Sequence, residues 1–267
     1  MSWDTEEKSV LLKEDGLERK IEKAEQKAKR VKVEIEKAEQ EVKREIQMSE
    51  TTIVGILLAL VGGFLDAYTY LCRGKVFANA QTGNIVLFGI KLSEGDWRGG
   101  FYYCLPILAF AVGVILSERI RSKFGHQKQF HWRQMIILSE ILILLATLLV
   151  PRGDWDMIAN IMVSFVCSLQ VQSFRKFDGY ACATTMCTGN LRSGTEHLNK
   201  YLNTKSKASL KACIHYYRII LFFIVGAFLG AVLTNGLGVK AIVLACVGLL
   251  LVFFLMFRRE AKSLGVC

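Results

Sequence analysis

The chain has 267 residues, 52% of them hydrophobic, and a mean hydropathy of +0.32. A water-soluble globule of this size has no room to bury so much Leu, Ile, Val and Phe, so the composition excludes an ordinary soluble domain and favours an integral membrane class. The net charge is +10, yet residues 1–50 carry 12 Lys/Arg against 14 Asp/Glu; the positive charge belongs to the apolar part, where it marks cytoplasmic loops and lipid headgroups rather than nucleic acid.

Residues 1–16 read as irregular, and the charged N-terminus does not read as a signal peptide. From Leu17, the residues Leu17, Ile21, Ala24, Ala28, Val31, Ile35, Ala38 and Val42 recur at alternating spacings of four and three. This pattern predicts a charged heptad helix within 1–50, a candidate coiled coil with a narrow, alanine-rich seam. Two readings stay open: a cytoplasmic helix that makes the protein a homodimer, or a solvated or appended segment.

Six apolar spans follow, at roughly 52–72, 102–120, 134–150, 156–174, 215–234 and 239–257, each long enough to cross a hydrocarbon core as a helix. Two shorter or more polar stretches, around 78–92 and 183–199, contain the same tripeptide, Thr82-Gly83-Asn84 and Thr188-Gly189-Asn190, 106 residues apart. With the N-terminus in the cytoplasm, six crossings put 15 of the Lys/Arg beyond residue 50 on the inner side, among them Arg119, Arg121, Arg175, Lys176 and Arg258, and six on the outer side. That asymmetry follows the positive-inside rule. Eight crossings would move the basic 119–133 loop outside.

The expectation is therefore an all-α integral membrane protein: six transmembrane helices plus two partial or re-entrant Thr-Gly-Asn helices. Its parts are a charged helix at 1–50, membrane repeats at 51–150 and 151–260, and a cytoplasmic tail at 261–267, with both termini in the cytoplasm. Three spans per half is an odd number, so the two repeats are inverted. Phe110-Ala-Val-Gly113 and Phe223-Ile-Val-Gly226 add a second match between the halves.

Inverted repeats with interrupted helices are a transporter pattern. Thr and Asn are able to cap a helix start, and Gly permits close backbone approach. Two such starts meeting near the midplane would favour an anion or carboxylate. Asp66 is an acid inside a span, a functional candidate by default; coupling protons, binding a cation and pairing with Arg73 all fit it. Asn79, Gln81 and Gln172 are its polar neighbours. Glu140 and Arg218 read as snorkelling or paired charges. Gly226 and Gly230 form a GxxxG for close helix packing, with the partner helix undetermined. The eight cysteines form no CxxC pair, and the four histidines have no metal-ligand spacing. Neither a cofactor nor a metal site is read, and no enzyme motif occurs.

The stretches Gly62-Gly-Phe-Leu-Asp-Ala-Tyr68 and Ala78-Asn-Ala-Gln-Thr-Gly-Asn84 resemble those of the YoaK-like family of bacterial inner-membrane proteins of unknown function. The resemblance runs from about residue 50 to 260 and leaves out the heptad segment. It implies about six spans and a bacterial plasma membrane, and no substrate. The leading expectation is a small secondary transporter or channel for a small polar or anionic solute. Its substrate site would be Thr82, Gly83, Asn84, Thr188, Gly189 and Asn190 with Asn79, Gln81 and Gln172, and Asp66 would couple a proton or ion. The alternative is a non-transporting scaffold or sensor with the heptad helix as its interaction arm.

Overall fold

The computed structural model describes residues 50–124 and 132–263. The expected heptad helix and its coiled-coil reading lie outside the described residues. Eight helices follow in order: α1 (Thr52–Cys72), α2 (Gln81–Ser93), α3 (Trp97–Phe124), α4 (Trp132–Ala146), α5 (Asp156–Ser173), α6 (Cys187–Thr204), α7 (Lys207–Leu237) and α8 (Ile242–Ser263). Short 3-10 turns sit at Thr147–Leu149 and Gly238–Ala241.

Among the described residues, four stretches are long and apolar enough to cross a membrane: Thr52–Cys72, Trp97–Phe124, Trp132–Leu149 and Lys207–Met256. The last contains both α7 and α8. A Cβ at Gly226 of α7 would strike Leu60 of α1, and one at Gly248 of α8 would meet Val61, the next α1 residue. Two helices that pass the same level of α1 cannot be one straight rod, so the chain turns back at Gly238, whose φ is +58°. Helix α5 was expected as a span and falls outside the four. Asp156, Asn160, Ser164, Ser168 and Gln170 lower its hydropathy, and all five are buried against protein.

Helix α1 is buried over most of its length. It packs mainly on α7, and α3 packs mainly on α5. Both contacts depend on missing side chains. A Cβ at Gly63 or Gly226 would strike backbone of the opposing helix, and one at Gly230 would lie 2.7 Å from Phe64 O. The GxxxG of α7 therefore packs against α1 of the same chain. In the other pair, a Cβ at Gly113 would collide with Ser168 and lie 3.0 Å from Phe165 O.

Helix directions follow from contacts at the ends. Arg73, just past α1, bonds Asp156 at the start of α5 at 3.0 Å. Thr52, at the start of α1, donates to Asp178, just past α5. Helices α1 and α5 are therefore antiparallel. Tyr102 pairs with Asn160 and Ser117 with Ser173, so α3 runs parallel to α5. Helix α7 runs parallel to α1, since His215 lies by Thr52 and Gly230 by Phe64.

The fold is not purely helical. Lys176–Phe177 and Tyr180–Ala181 pair as a two-residue antiparallel hairpin. Its turn is Asp178-Gly179, both at positive φ, as a tight hairpin requires. Phe177 is fully buried, and its ring lies where a side chain at Gly55 would stand. Tyr216 Oη donates to Ala181 O at 3.0 Å. The hairpin is thus tied to the starts of α1 and α7.

Candidate functional site

The chain between α1 and α2 leads inward. Asn79 N donates to Asp66 Oδ1 at 2.8 Å, and Asn79 Nδ2 donates to Gly62 O, in the middle of α1, at 2.7 Å. The chain between α5 and α6 reaches the same level: a Cβ at Gly62 would lie 3.1 Å from Thr184 O and 3.2 Å from Thr185 Cγ2. Thr184 is held there by Gln170 Nε2, which bonds both Thr184 Oγ1 and Leu58 O. Helices α2 and α6 therefore both begin beside the middle of α1.

The two tripeptides occupy the first turns of these helices. The expected capping by Thr and Asn is not made: the N-cap residues are Ala80 and Met186, and neither helix start has a side-chain cap. Each Asn reaches backwards instead. Asn84 Nδ2 donates to Phe77 O at 2.8 Å, and Asn190 Nδ2 to Ala183 O at 2.6 Å. Both bonds span seven residues, and both side chains are buried. Each amide staples the incoming segment to its helix, because the inward-running strand of chain has no sheet to satisfy its carbonyls. The first N–H groups of each helix lack an N-cap side-chain acceptor, and in α2 Gln81 N and Gly83 N bond the carbonyls of Asn79 and Ala80 instead, each at 3.0 Å.

A cavity of about 1130 Å³ lies between the two starts. Of the expected site residues, Asp66, Asn79, Gln81, Thr82, Gly83, Gln172, Thr188, Gly189 and Asn190 all line it; Asn84 does not. Apolar walls come from Tyr70, Phe77, Phe110 and Phe223. Thr82, Thr188 and Gly189 are exposed toward it. Asp66 and Arg175 are the charged residues of the lining.

Three expectations about charges change. Arg73 does not pair with Asp66. Its guanidinium is fully buried, bonds Asp156, Tyr68 Oη and the carbonyls of Thr147 and Val150, and closes one end of the helix bundle. Gln172 turns to Glu118 of α3 at 2.6 Å, so its amide is engaged at the cavity's rim. Glu140 is fully buried with neither carboxylate oxygen bonded, rather than snorkelling, because α4 packs against both α5 and α8. Arg218 is exposed, as a snorkelling side chain would be. Thr185 also lines the cavity and was not singled out from sequence; its position, 106 residues after Asn79, was the available signal. Among the described residues no group of three or more His, Cys, Asp or Glu is placed to hold a metal, and the described cysteines are free.

The family described as "Protein of unknown function (DUF1275)" matches residues 54–255. The UPF0700 transmembrane protein YoaK of Bacillus subtilis (strain 168) is 26% identical over 183 residues, which cover 66% of this chain and 80% of that protein. No solved structure matches the chain.

Proposed function

The chain belongs to the DUF1275 family of multi-pass membrane proteins, and from that premise we propose that it is a small secondary transporter or channel for a small polar or anionic solute. The observation that carries the proposal is the cavity shared by two uncapped helix starts and the Asp66 carboxylate. Uncapped N–H groups and the positive ends of two helix dipoles favour an anionic group. The apolar walls suit the rest of a small molecule.

In this reading α1, α3, α4, α5, α7 and α8 cross the bilayer, and α2 and α6 are re-entrant half-helices. The antiparallel run of α1 and α5, which hold the same place in each half, supports two inverted repeats. So does the reciprocal packing of α1 on α7 and α3 on α5. Gly226 of α7 meets Leu60 of α1, and Gly113 of α3 meets Phe165 of α5, and Leu60 and Phe165 are separated by nearly the offset of the two tripeptides. Loop charge supports cytoplasmic termini, and the likeness to a transmembrane protein of Bacillus subtilis supports a bacterial plasma membrane.

Purified protein screened by thermal unfolding against small carboxylates, amino acids, sugars and inorganic anions tests the proposal. A hit is expected to be taken up by proteoliposomes. A screen without a stabilising solute, together with a water-inaccessible cavity, would overturn it.

A further inference from the structure

Two buried oxygens at matched positions lack partners. Asn79 stands two residues ahead of α2 and Thr185 two residues ahead of α6. Asn79 is 1% exposed and Thr185 3%, and neither Asn79 Oδ1 nor Thr185 Oγ1 has a hydrogen-bond partner. Both residues line the cavity. A buried polar oxygen left unpaired carries its full desolvation penalty, and native folds rarely tolerate it without a reason. The same omission at equivalent places in two halves calls for one explanation.

The surroundings define the chemistry. Asn79 commits its side-chain nitrogen to Gly62 O, so its remaining capacity is that of an acceptor. Asp66 lies one turn along α1 from Gly62, on the same face, and receives Asn79 N at 2.8 Å. Thr184 O and Thr185 Cγ2 stand within 3.2 Å of a Cβ position at Gly62. The Asp66 carboxylate, the Asn79 amide, the Thr184 carbonyl and the Thr185 side chain thus all stand beside the Gly62–Asp66 turn of α1, with the Thr185 methyl the atom of that side chain nearest Gly62. Arg73 is committed to Asp156 and to carbonyls, and Arg175, the other charged residue of the cavity lining, is exposed. Hard oxygen ligands with a single carboxylate suit a small cation of charge +1 better than a divalent ion, which usually recruits more carboxylates.

We infer that Asp66, Asn79 and Thr185 form a binding site for a monovalent alkali cation beside the Gly62–Asp66 turn of α1, where the Asp66 carboxylate supplies the negative charge against the positive ends of α2 and α6. The inference deepens the transporter reading and rests on it for the role of the ion, which would be the coupling ion. By linkage, cation and solute then raise each other's affinity by the same factor.

The test uses the purified full chain without solute. Thermal unfolding is followed while NaCl replaces N-methyl-D-glucamine chloride at constant ionic strength, with KCl as a third arm. A saturable rise in melting temperature with Na⁺ is expected. A response to K⁺ as well would widen the site to alkali cations in general and still support it. Thr185→Val removes a hydroxyl that has no partner, so it is expected to fold and to weaken the Na⁺ response about tenfold or more, the scale seen when the support of a metal site is removed. Asp66→Asn is the second variant, expected to abolish the response. Identical melting in Na⁺ and N-methyl-D-glucamine would overturn the inference, as would an undiminished Na⁺ response in both variants. Neither result bears on the solute screen, so the two readings fail separately.

Discussion

Gly83 and Gly189 offer a direct way to separate the cavity from the fold. A Cβ at Gly189 would have nothing within 4 Å, and one at Gly83 would meet only Phe77 Cδ2 at 3.6 Å, an ordinary van der Waals distance. Neither residue has positive φ. Both lie in helices, where glycine is less favourable than other residues by about 0.5–1 kcal/mol. Replacing both by Leu should therefore stabilise the protein by about 1–2 kcal/mol from helix propensity alone, while the new side chains project into the cavity. A cavity-binding solute should then lose its stabilising effect, and proteoliposome uptake should fall to background. Thermal unfolding with and without the best solute from the screen measures both quantities on one sample. Full solute-dependent stabilisation in a folded double variant would refute the cavity as the site. Loss of folding would refute the claim that these glycines face open space.

Other substitutions test the frame around the cavity. Gly63→Ala should destabilise by at least about 1–3 kcal/mol, the range for overpacking, because its Cβ would strike α7 backbone; equilibrium unfolding in detergent measures it. Asn84→Ala and Asn190→Ala should each cost about 1–3 kcal/mol by freeing a buried carbonyl, and Asn190→Ala also frees Ala183 N. Arg73→Met should cost about 3–5 kcal/mol by leaving Asp156 without its buried partner, with recovery expected in the Arg73→Met, Asp156→Leu double variant. Removing residues 1–46 should change the oligomeric state without preventing membrane insertion; an unchanged mass by light scattering would remove the oligomerisation role.

Some of this was legible in the sequence because it repeats or alternates in hydropathy. The apolar stretches fall within helices, and the doubled Thr-Gly-Asn pointed to the two helices that start at the cavity. The roles inside the motif were not legible. Whether Asn84 caps its own helix or reaches back to Phe77 depends on the path of the preceding chain, which no local pattern encodes. Arg73 has Asp66 seven residues away in sequence, yet its partner is Asp156, brought near by the antiparallel run of α1 and α5. The hairpin at Lys176–Ala181 was available from Asp178-Gly179, a dipeptide suited to tight turns, but the basic residues around it read as a plain loop. Helix α5 looked like an ordinary span because a hydropathy run does not reveal that its polar residues are covered by neighbouring helices.

A secondary transporter or channel requires the cavity between the two helix starts to be reached by water and to serve both sides of the membrane. That requirement is tested most directly by Gly83→Cys and Gly189→Cys, each in a cysteine-free background, reconstituted in vesicles and treated with a membrane-impermeant thiol reagent from one side at a time. Labelling is expected at both positions, from either side, slowed by bound solute. An absence of labelling from both sides, while a cysteine placed in an exposed loop reacts fully, would contradict it.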